Sequence, residues 1–162
     1  MPQVEPFIIS RVFNAPRKLL WEVQTSPQHL AKFMGEGWDS KVHDFKVGGI
    51  HHYVMGVGAH QMWGKQTFLE IVPMEKLVLI QSFSDPEGGI GAHPMAPTWP
   101  KEMLATTTFQ DEGPNKCKMT VTWLPHNSDD AGNATFDGAR AGMSGGFGNS
   151  FDTLDSYLKT VV

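Results

Sequence analysis

The sequence predicts an α+β fold in which a curved antiparallel sheet of about six to seven strands wraps around a long C-terminal helix. Between residues 50 and 84, strand-like apolar segments alternate with short turns, and Gly48-Gly49 precedes the first of them, as glycines do where a sheet bends. From about Thr135 to Val161, apolar residues instead recur every three, four or seven positions, as on one face of a helix. A single sheet and one amphipathic helix bury their apolar faces against each other, which predicts a two-layer domain.

One strand and two short helices come first. The segment Phe7–Phe13 is apolar on both sides, which predicts a strand that is buried on both faces. Pro16 marks the start of the first helix and Ser26-Pro27 the start of the second, because proline fits the first helical turn and serine caps it. Gly35 and Gly37 then end the second helix.

Six further strands follow, and a long break separates the last two from the others. They are expected at Trp38–Phe45, Ile50–Val57, Gln61–Val72, Leu77–Ser84, Met103–Gln110 and Lys116–Leu124. The break, Asp85–Pro100, is rich in glycine and proline but also holds the apolar residues Ile90, Met95 and Trp99. It is therefore either a lid at the mouth of a binding site or a strap that packs against the edge of the sheet.

Five glycines interrupt the N-terminal half of the predicted C-terminal helix. They are Gly138, Gly142, Gly145, Gly146 and Gly148. Each costs helix stability, about 1 kcal/mol relative to alanine. Either this half is frayed or kinked, or the small residues let the helix lie close to the sheet. Both explanations make this half of the helix less stable than the segment from Phe151 to Val161.

Composition and charge exclude several classes of protein. A chain of 162 residues with 40% hydrophobic and 19% charged residues is sufficient for one domain, residues 1–162. The net charge of -4, with scattered basic residues, argues against nucleic-acid binding, and no apolar run is long enough to cross a membrane. The start of the chain lacks an export signal, and a lone Cys117 forms no internal disulfide. We therefore expect a cytoplasmic protein.

The histidines and the methionines are both possible signals of function. Adjacent His51 and His52 point to opposite faces of a strand, and the other five histidines lack the spacing of a metal motif, so we expect no metal site and no cofactor. Nine methionines and five tryptophans are more than usual. Methionine is common where a surface accepts variable partners, although it also fills irregular cores.

A set of short motifs occurs in a characteristic order along the chain. They are Asn14-Ala15-Pro16-Arg17, Gly48-Gly49, Trp63-Gly64, Leu69–Pro73, His93–Leu104, and Gly146-Phe147 followed by Leu154. In this order they resemble the START-like (SRPBCC) superfamily of helix-grip proteins, and within it the branch named after the C-terminal domain of the activator of the Hsp90 ATPase. The branch usually carries tryptophan where Phe33, Met34 and Phe147 stand, and often another aromatic residue where His51 stands, so no ligand preference is carried over.

The resemblance implies a helix-grip (Bet v 1-like) fold with a hydrophobic cavity between the curved sheet and the C-terminal helix. Strand alternation and the resemblance together predict the residues of the cavity wall. These are His51, Tyr53, Met55, Gln66, Trp99, Trp123, Met143 and Phe147. The expected partner is a small, mostly hydrophobic molecule.

Three functions remain open at this point. The protein binds such a molecule without changing it, or it is a cyclase or dehydratase for a polyketide-like or aromatic substrate, with His51 and Tyr53 as acid–base groups, or it is an interaction module for a chaperone. His51 has no visible orienting partner, which favours a wall residue over a catalytic one. A role on Hsp90 itself is not expected, because the eukaryotic activator uses a separate N-terminal domain for which this chain has no room. The oligomeric state is open, a homodimer included.

Overall fold

The computed structural model describes residues 4–91 and 96–161, and its architecture confirms the predicted helix-grip fold class. The elements are β1 (Phe7–Phe13), α1 (Arg17–Thr25), α2 (Pro27–Phe33), β2 (Asp39–His43), β3 (Ile50–Met55), a short 3₁₀ helix (Gly58–His60), β4 (Met62–Val72), β5 (Lys76–Ser84), β6 (Glu102–Asp111), β7 (Cys117–His126), α3 (Asp130–Gly138) and α4 (Arg140–Val161). The seven strands form one antiparallel sheet in the order β1-β7-β6-β5-β4-β3-β2. Strands β2 to β7 are therefore a continuous meander, and β1 joins it beside β7.

Irregular pairing bends the sheet. The register shifts between Ser40 and Val42 in β2, and again between Phe68 and Glu70 in β4. Just before β3, a Cβ atom on Gly49 would collide with the carbonyl oxygen of Asp44, so only glycine allows this close approach. Bulges increase the local bend and twist of a strand, which explains how the sheet curves around α4.

Two apolar clusters fill the space between the sheet and the helices. The larger cluster joins the C-terminal half of α4 to α1 and the middle of the sheet, and the ring of Phe151 meets that of Phe13 edge to face at 5.6 Å. The smaller cluster joins Phe7, Met103, Phe136 and Met143, which lie on β1, β6, α3 and α4. The two halves of α4 thus cover different parts of the sheet.

The predicted C-terminal helix starting at Thr135 is in fact two helices, which corrects the sequence interpretation. The side chain of Asp129 accepts a hydrogen bond of 2.7 Å from the backbone N–H of Gly132 and caps α3, which ends at Gly138. Helix α4 begins at Arg140 after a break at Ala139. The apolar spacing continues across this break because Phe136 and Met143 pack in the same cluster.

The five glycines of this region do not bring the helices closer to the sheet. A Cβ atom added to any of them would have no heavy atom within 4 Å apart from its own helix and chain neighbours. Close packing is therefore wrong as the explanation for these glycines. The break at Ala139 supports the alternative, a kinked N-terminal half.

The prediction that β1 is buried on both faces is also wrong. Phe7 and Phe13 are buried, but Ile8 is 60% exposed and Val12 is 45% exposed. Strand β1 is at the edge of the sheet, and the helices cover only one face of it. An edge strand with one uncovered face leaves every second side chain in water.

The first part of the segment Asp85–Pro100 is fastened to the outer face of the sheet. The ring Nε2 of His52 lies 2.8 Å from the carbonyl oxygen of Asp85, and the ammonium group of Lys65 donates a 3.1 Å hydrogen bond to the carbonyl oxygen of Gly88. The carboxylate of Asp85 accepts two further bonds from the backbone of the turn that follows it. This part is a strap.

The last part of the same segment is tied to α3. The hydroxyl groups of Thr98 and Thr135 are 2.7 Å apart, and the ring centroids of Trp99 and Phe136 are separated by 6.2 Å. Met95, which the sequence analysis assigned to the lid or strap, lies outside the described residues. Trp99 is therefore held by packing at the end of α3.

Candidate functional site

A cavity of about 510 Å³ lies between the sheet and the N-terminal half of α4. Its floor is formed by strands β3 to β7, and α4 covers it. Seven of the eight predicted wall residues line this cavity. They are Tyr53, Met55, Gln66, Trp99, Trp123, Met143 and Phe147. The structure thus brings these seven together from three strands, one loop and one helix.

His51 is the exception. It lines a smaller cavity of about 110 Å³ that shares Met34, Tyr53 and Gln66 with the larger one. Tyr53 and Gln66 therefore separate the two cavities. Strand alternation correctly places His51 and Tyr53 on the same face, but it does not tell which cavity each side chain reaches.

Methionine supplies much of the wall of the larger cavity. Among the described residues, five methionines line it: Met34, Met55, Met62, Met103 and Met143. Three of these (Met34, Met62 and Met103) were missed by the sequence analysis, although the high methionine count was the available signal. Because its side chain is flexible and polarizable, methionine adapts to guests of different shape.

A chain of polar side chains crosses the floor between the two cavities. The ring Nε2 of His51 lies 3.0 Å from the hydroxyl oxygen of Ser40, and its Nδ1 lies 3.4 Å from Oε1 of Gln66. The amide of Gln66 donates to Oε1 of Gln81 at 2.9 Å, and the amide of Gln81 donates to the hydroxyl oxygen of Tyr53, also at 2.9 Å. This row of hydrogen-bonded side chains thus ends at the hydroxyl group of Tyr53, which lines the larger cavity.

Gln81 was also missed at the sequence level. It pairs directly with Gln66, which in turn pairs directly with His51, so the three side chains form a row across β3, β4 and β5. The signal for Gln81 was a polar residue directly after the apolar run Leu77–Ile80. Polar residues in buried strands need a hydrogen-bond partner, and here they supply one another.

The position of Tyr53 depends on the glycine next to it. A Cβ atom on Gly64 would collide with the ring of Tyr53, so only glycine lets the ring lie against β4. Trp38 stacks on Tyr53 with ring centroids 6.1 Å apart. Burial raises the pKa of Tyr53, and the hydrogen bond from Gln81 lowers it in part. Tyr53 is therefore a neutral phenol at physiological pH.

His51 is neutral at physiological pH as well. Its pKa is lowered to about 4, mainly by burial and also by the nearby ring of His43, although the hydrogen bond to Gln66 acts in the opposite direction. The ring centroids of the two histidines are 4.8 Å apart. Among the described residues that line the larger cavity, Lys101 is the only charged one, and it is exposed. The site is thus suited to a mostly apolar, uncharged guest.

Metal-binding clusters and membrane-spanning helices are both absent from the described part of the chain. Within residues 4–91 and 96–161, no group of three or more His, Cys, Asp or Glu side chains is placed to hold a metal ion. In the same ranges, every helix is too short or too polar to cross a membrane. The absence of a metal or cofactor and the cytoplasmic location stay predictions.

Comparison with known families agrees with the motifs. Residues 14–159 match the family described as "Activator of Hsp90 ATPase homolog 1-like protein". The chain belongs to this family. The match includes strands β2 to β7 and all four helices except the last residues of α4, and it begins directly after β1. A search of curated proteins found no match.

Several solved structures are similar to this Hsp90 ATPase activator homolog 1-like chain. Protein Ms6760 from Mycobacterium smegmatis has 19% identity and a TM-score of 0.73, with 96% of this chain and 91% of that chain covered. A protein from Arthrobacter aurescens has 24% identity and a TM-score of 0.74, with 97% and 87% covered. DynU16, a protein in the dynemicin biosynthetic locus, has 18% identity and a TM-score of 0.64, with 98% and 48% covered. At these identities the likeness shows a shared fold.

Proposed function

We propose that the protein binds a small, mostly apolar molecule in the larger cavity, with the hydroxyl group of Tyr53 as its central hydrogen-bonding group. The observation that carries this proposal is a cavity of about 510 Å³ whose walls are mainly methionine and aromatic side chains. Small-molecule sites typically enclose about 300–1,000 Å³ and combine apolar walls with a few placed polar groups. Membership of the family is consistent with this function.

The position of Tyr53 explains how such a guest is oriented. Its hydroxyl oxygen accepts a hydrogen bond from Gln81, and its own O–H meets no acceptor among the described residues. A guest that offers one acceptor atom to Tyr53 can leave the rest of its surface against methionine and aromatic side chains. A buried polar group that gains a partner in this way favours one orientation of the guest over others.

Catalysis is the second candidate, because a neutral buried phenol can donate a proton and because DynU16 is described as belonging to the dynemicin biosynthetic locus. An acid–base step that both removes and donates a proton uses two positioned groups, and besides Tyr53 the described lining offers only Lys101, which is exposed. The described lining of the larger cavity contains no carboxylate, and His51 lies against the smaller cavity. The geometry therefore supports binding better than turnover.

The test compares two neighbouring glycines of α4. Gly146 lines the larger cavity and Gly145 does not, yet both are exposed and both have open space around an added Cβ atom. Gly146→Phe places a ring at the cavity and should weaken binding of the neutral fluorescent probe N-phenyl-1-naphthylamine at least about tenfold. Gly145→Phe, the matched control, should bind the probe as the wild type does.

Two outcomes contradict the proposal. One is a wild-type protein that does not bind the probe, and the other is equal binding by both variants, which would place the probe outside the cavity. Native mass spectrometry of protein purified from its own host then identifies the guest. Conversion of that guest by the wild type, lost in Tyr53→Phe without loss of affinity, would favour the catalytic candidate.

A further inference from the structure

No charged group fixes the direction of the hydrogen bonds in the row of polar side chains between the two cavities, called the polar chain below. It consists of the hydroxyl groups of Ser40 and Tyr53, the imidazole of His51 and the amides of Gln66 and Gln81. Each of these groups both donates and accepts hydrogen bonds. A carboxylate or an ammonium group would fix the direction, and the polar chain contains neither.

In the first direction, donors point from His51 toward Tyr53. Nδ1–H of His51 donates to Gln66, Gln66 donates to Gln81, and Gln81 donates to the hydroxyl oxygen of Tyr53. The hydroxyl group of Ser40 then donates to Nε2 of His51. The O–H of Tyr53 is left to donate into the larger cavity, so the site suits a guest that accepts a hydrogen bond.

The second direction needs only that the side-chain amides of Gln66 and Gln81 rotate by half a turn, so that the oxygen and nitrogen of each exchange places. The O–H of Tyr53 donates to Gln81, Gln81 donates to Gln66, and Gln66 donates to Nδ1 of His51. The proton of His51 then sits on Nε2 and is donated to Ser40. The hydroxyl oxygen of Tyr53 now offers a lone pair to the cavity, so the site suits a guest that donates a hydrogen bond.

Both directions keep all four hydrogen bonds of the polar chain. One weaker contact does depend on direction: the amide nitrogen of Gln81 lies 3.5 Å from the carbonyl oxygen of Ser82. It favours the first direction in the absence of a guest. Both directions require a neutral imidazole, because one ring nitrogen accepts a hydrogen bond in each, and burial, which lowers the pKa of His51, keeps the ring neutral at pH 7.

We propose, on the basis of the binding function above, that the cavity takes both acceptor-bearing and donor-bearing apolar molecules at Tyr53 because the polar chain reverses. In this mechanism His51 is a positioning residue, since it acts on the guest only through Gln66, Gln81 and Tyr53. A bound ketone stabilises the first direction, in which the proton of His51 is on Nδ1. A bound aromatic N–H compound stabilises the second direction, in which the proton of His51 is on Nε2.

Three tricyclic probes of the same shape test this inference. 9-Fluorenone only accepts a hydrogen bond, carbazole only donates one, and fluorene does neither. Fluorenone and carbazole should each bind about fivefold more tightly than fluorene, as one net hydrogen bond allows. Long-range ¹H–¹⁵N spectra of ¹⁵N-histidine protein should show the Nδ1–H form of His51 with fluorenone and the Nε2–H form with carbazole.

Controls come from the protein itself. His51→Gln assigns the signals of His51, and His29, whose Nδ1 contacts the hydroxyl group of Tyr157 away from both cavities, should keep the same tautomer with every probe. Gln66→Met removes the hydrogen bonds that join His51 to Gln81, with a side chain of similar size. In this variant the tautomer of His51 should no longer depend on the probe, while near-ultraviolet circular dichroism checks that the fold is intact.

The failure of this inference can be told apart from the failure of the binding function. If fluorenone, carbazole and fluorene all bind but His51 keeps one tautomer, the reversal is wrong and the binding function stands. If only one of fluorenone and carbazole exceeds fluorene in affinity, the polar chain has a fixed direction and the reversal is again wrong. If none of the three displaces N-phenyl-1-naphthylamine although that probe binds, the inferred guest class is wrong. If that probe also fails to bind, the binding function is wrong.

Discussion

At the scale of single residues, the site depends on one contact between neighbouring strands. Tyr53 and Gly64 are directly paired on β3 and β4, and the ring of Tyr53 occupies the space that a side chain on Gly64 would need. The ring is also held by Trp38 and Gln81. The glycine of the Trp63-Gly64 motif therefore has a physical reason in the site itself.

Gly64→Ala should disturb both stability and binding. The added methyl group forces the ring of Tyr53 to shift, and overpacking of this kind costs typically about 1–3 kcal/mol of unfolding free energy. Urea denaturation measures the cost, and titration with 9-fluorenone measures the loss of affinity. Tyr53→Phe is the companion variant, because it should weaken fluorenone about fivefold and leave fluorene unchanged. Equal stability of Gly64→Ala and the wild type would contradict the close contact.

His51 makes the stability of the protein depend on pH in a defined window. Its pKa is about 4 in the folded protein, against 6.5 for an unperturbed histidine. Above pH 6.5 His51 is neutral in both the folded and the unfolded states, so it does not lower the unfolding free energy. As the pH falls from 6.5 to 4, the unfolded chain binds a proton that the folded protein does not, so the unfolding free energy should drop by about 3 kcal/mol.

The control for this prediction is His51→Gln, measured by urea denaturation across the same pH range. The variant should keep only the smaller slope due to other groups, among them His43, whose pKa is lowered mainly by burial. Identical slopes in the variant and the wild type would show that His51 titrates normally. The drop in stability comes in the acid range, because the folded state resists protonation.

At the scale of elements, α4 combines two kinds of segment. Its C-terminal half buries Phe151, Leu154 and Leu158 in the larger cluster. Its N-terminal half contacts the cavity through Met143, Gly146, Phe147 and Ser150 and carries four glycines in all. The glycines leave open space beside the helix, and the helix is less stable there than its length suggests.

Alanine at Gly145 should therefore stabilise the protein. The site is exposed, helical and free of close neighbours, so the substitution removes only the conformational freedom of glycine in the unfolded chain. The expected gain is about 0.5–1 kcal/mol in unfolding free energy, with no change in affinity for N-phenyl-1-naphthylamine. A loss of stability in Gly145→Ala would mean that the glycine is required by the backbone.

At the scale of the whole molecule, the larger apolar cluster and the proposed binding cavity lie at different ends of the same two layers. The larger cluster borders only the smaller cavity of about 110 Å³, through Phe68 and Leu77, whereas the smaller cluster borders the cavity of about 510 Å³. A fold that holds its layers together at one end can leave space between them at the other. We expect truncations at the two ends to have different effects.

Leu154→Ala and Met143→Ala make this comparison on one helix. Leu154 is fully enclosed, so its truncation leaves a void and should cost about 2–5 kcal/mol of unfolding free energy. Met143 already faces a cavity, and its truncation should cost less than about 2 kcal/mol but change the affinity for N-phenyl-1-naphthylamine. Denaturation and probe titration on both variants check this. A larger stability loss in Met143→Ala would contradict the division.

The periodicity of the sequence by itself determined the fold class and the faces of most elements. The change from strand alternation to helical spacing predicted both layers, and seven of the eight predicted wall residues line the cavity. The two layers follow from patterns of two or 3.6 residues within single elements, which neighbouring elements do not alter. The wall residues were predicted from strand alternation together with the family resemblance.

Only the tertiary structure decided the remaining features, because each depends on the distance between elements. The exposure of Ile8 follows from the position of β1 at the edge, and the role of Gln81 follows from its pairing with Gln66. His51 lies against a separate small cavity because Tyr53 and Gln66 stand between it and the larger one. Local periodicity predicts the face on which a side chain lies. The size of the cavity beside that side chain depends on how the sheet bends and where the helix lies.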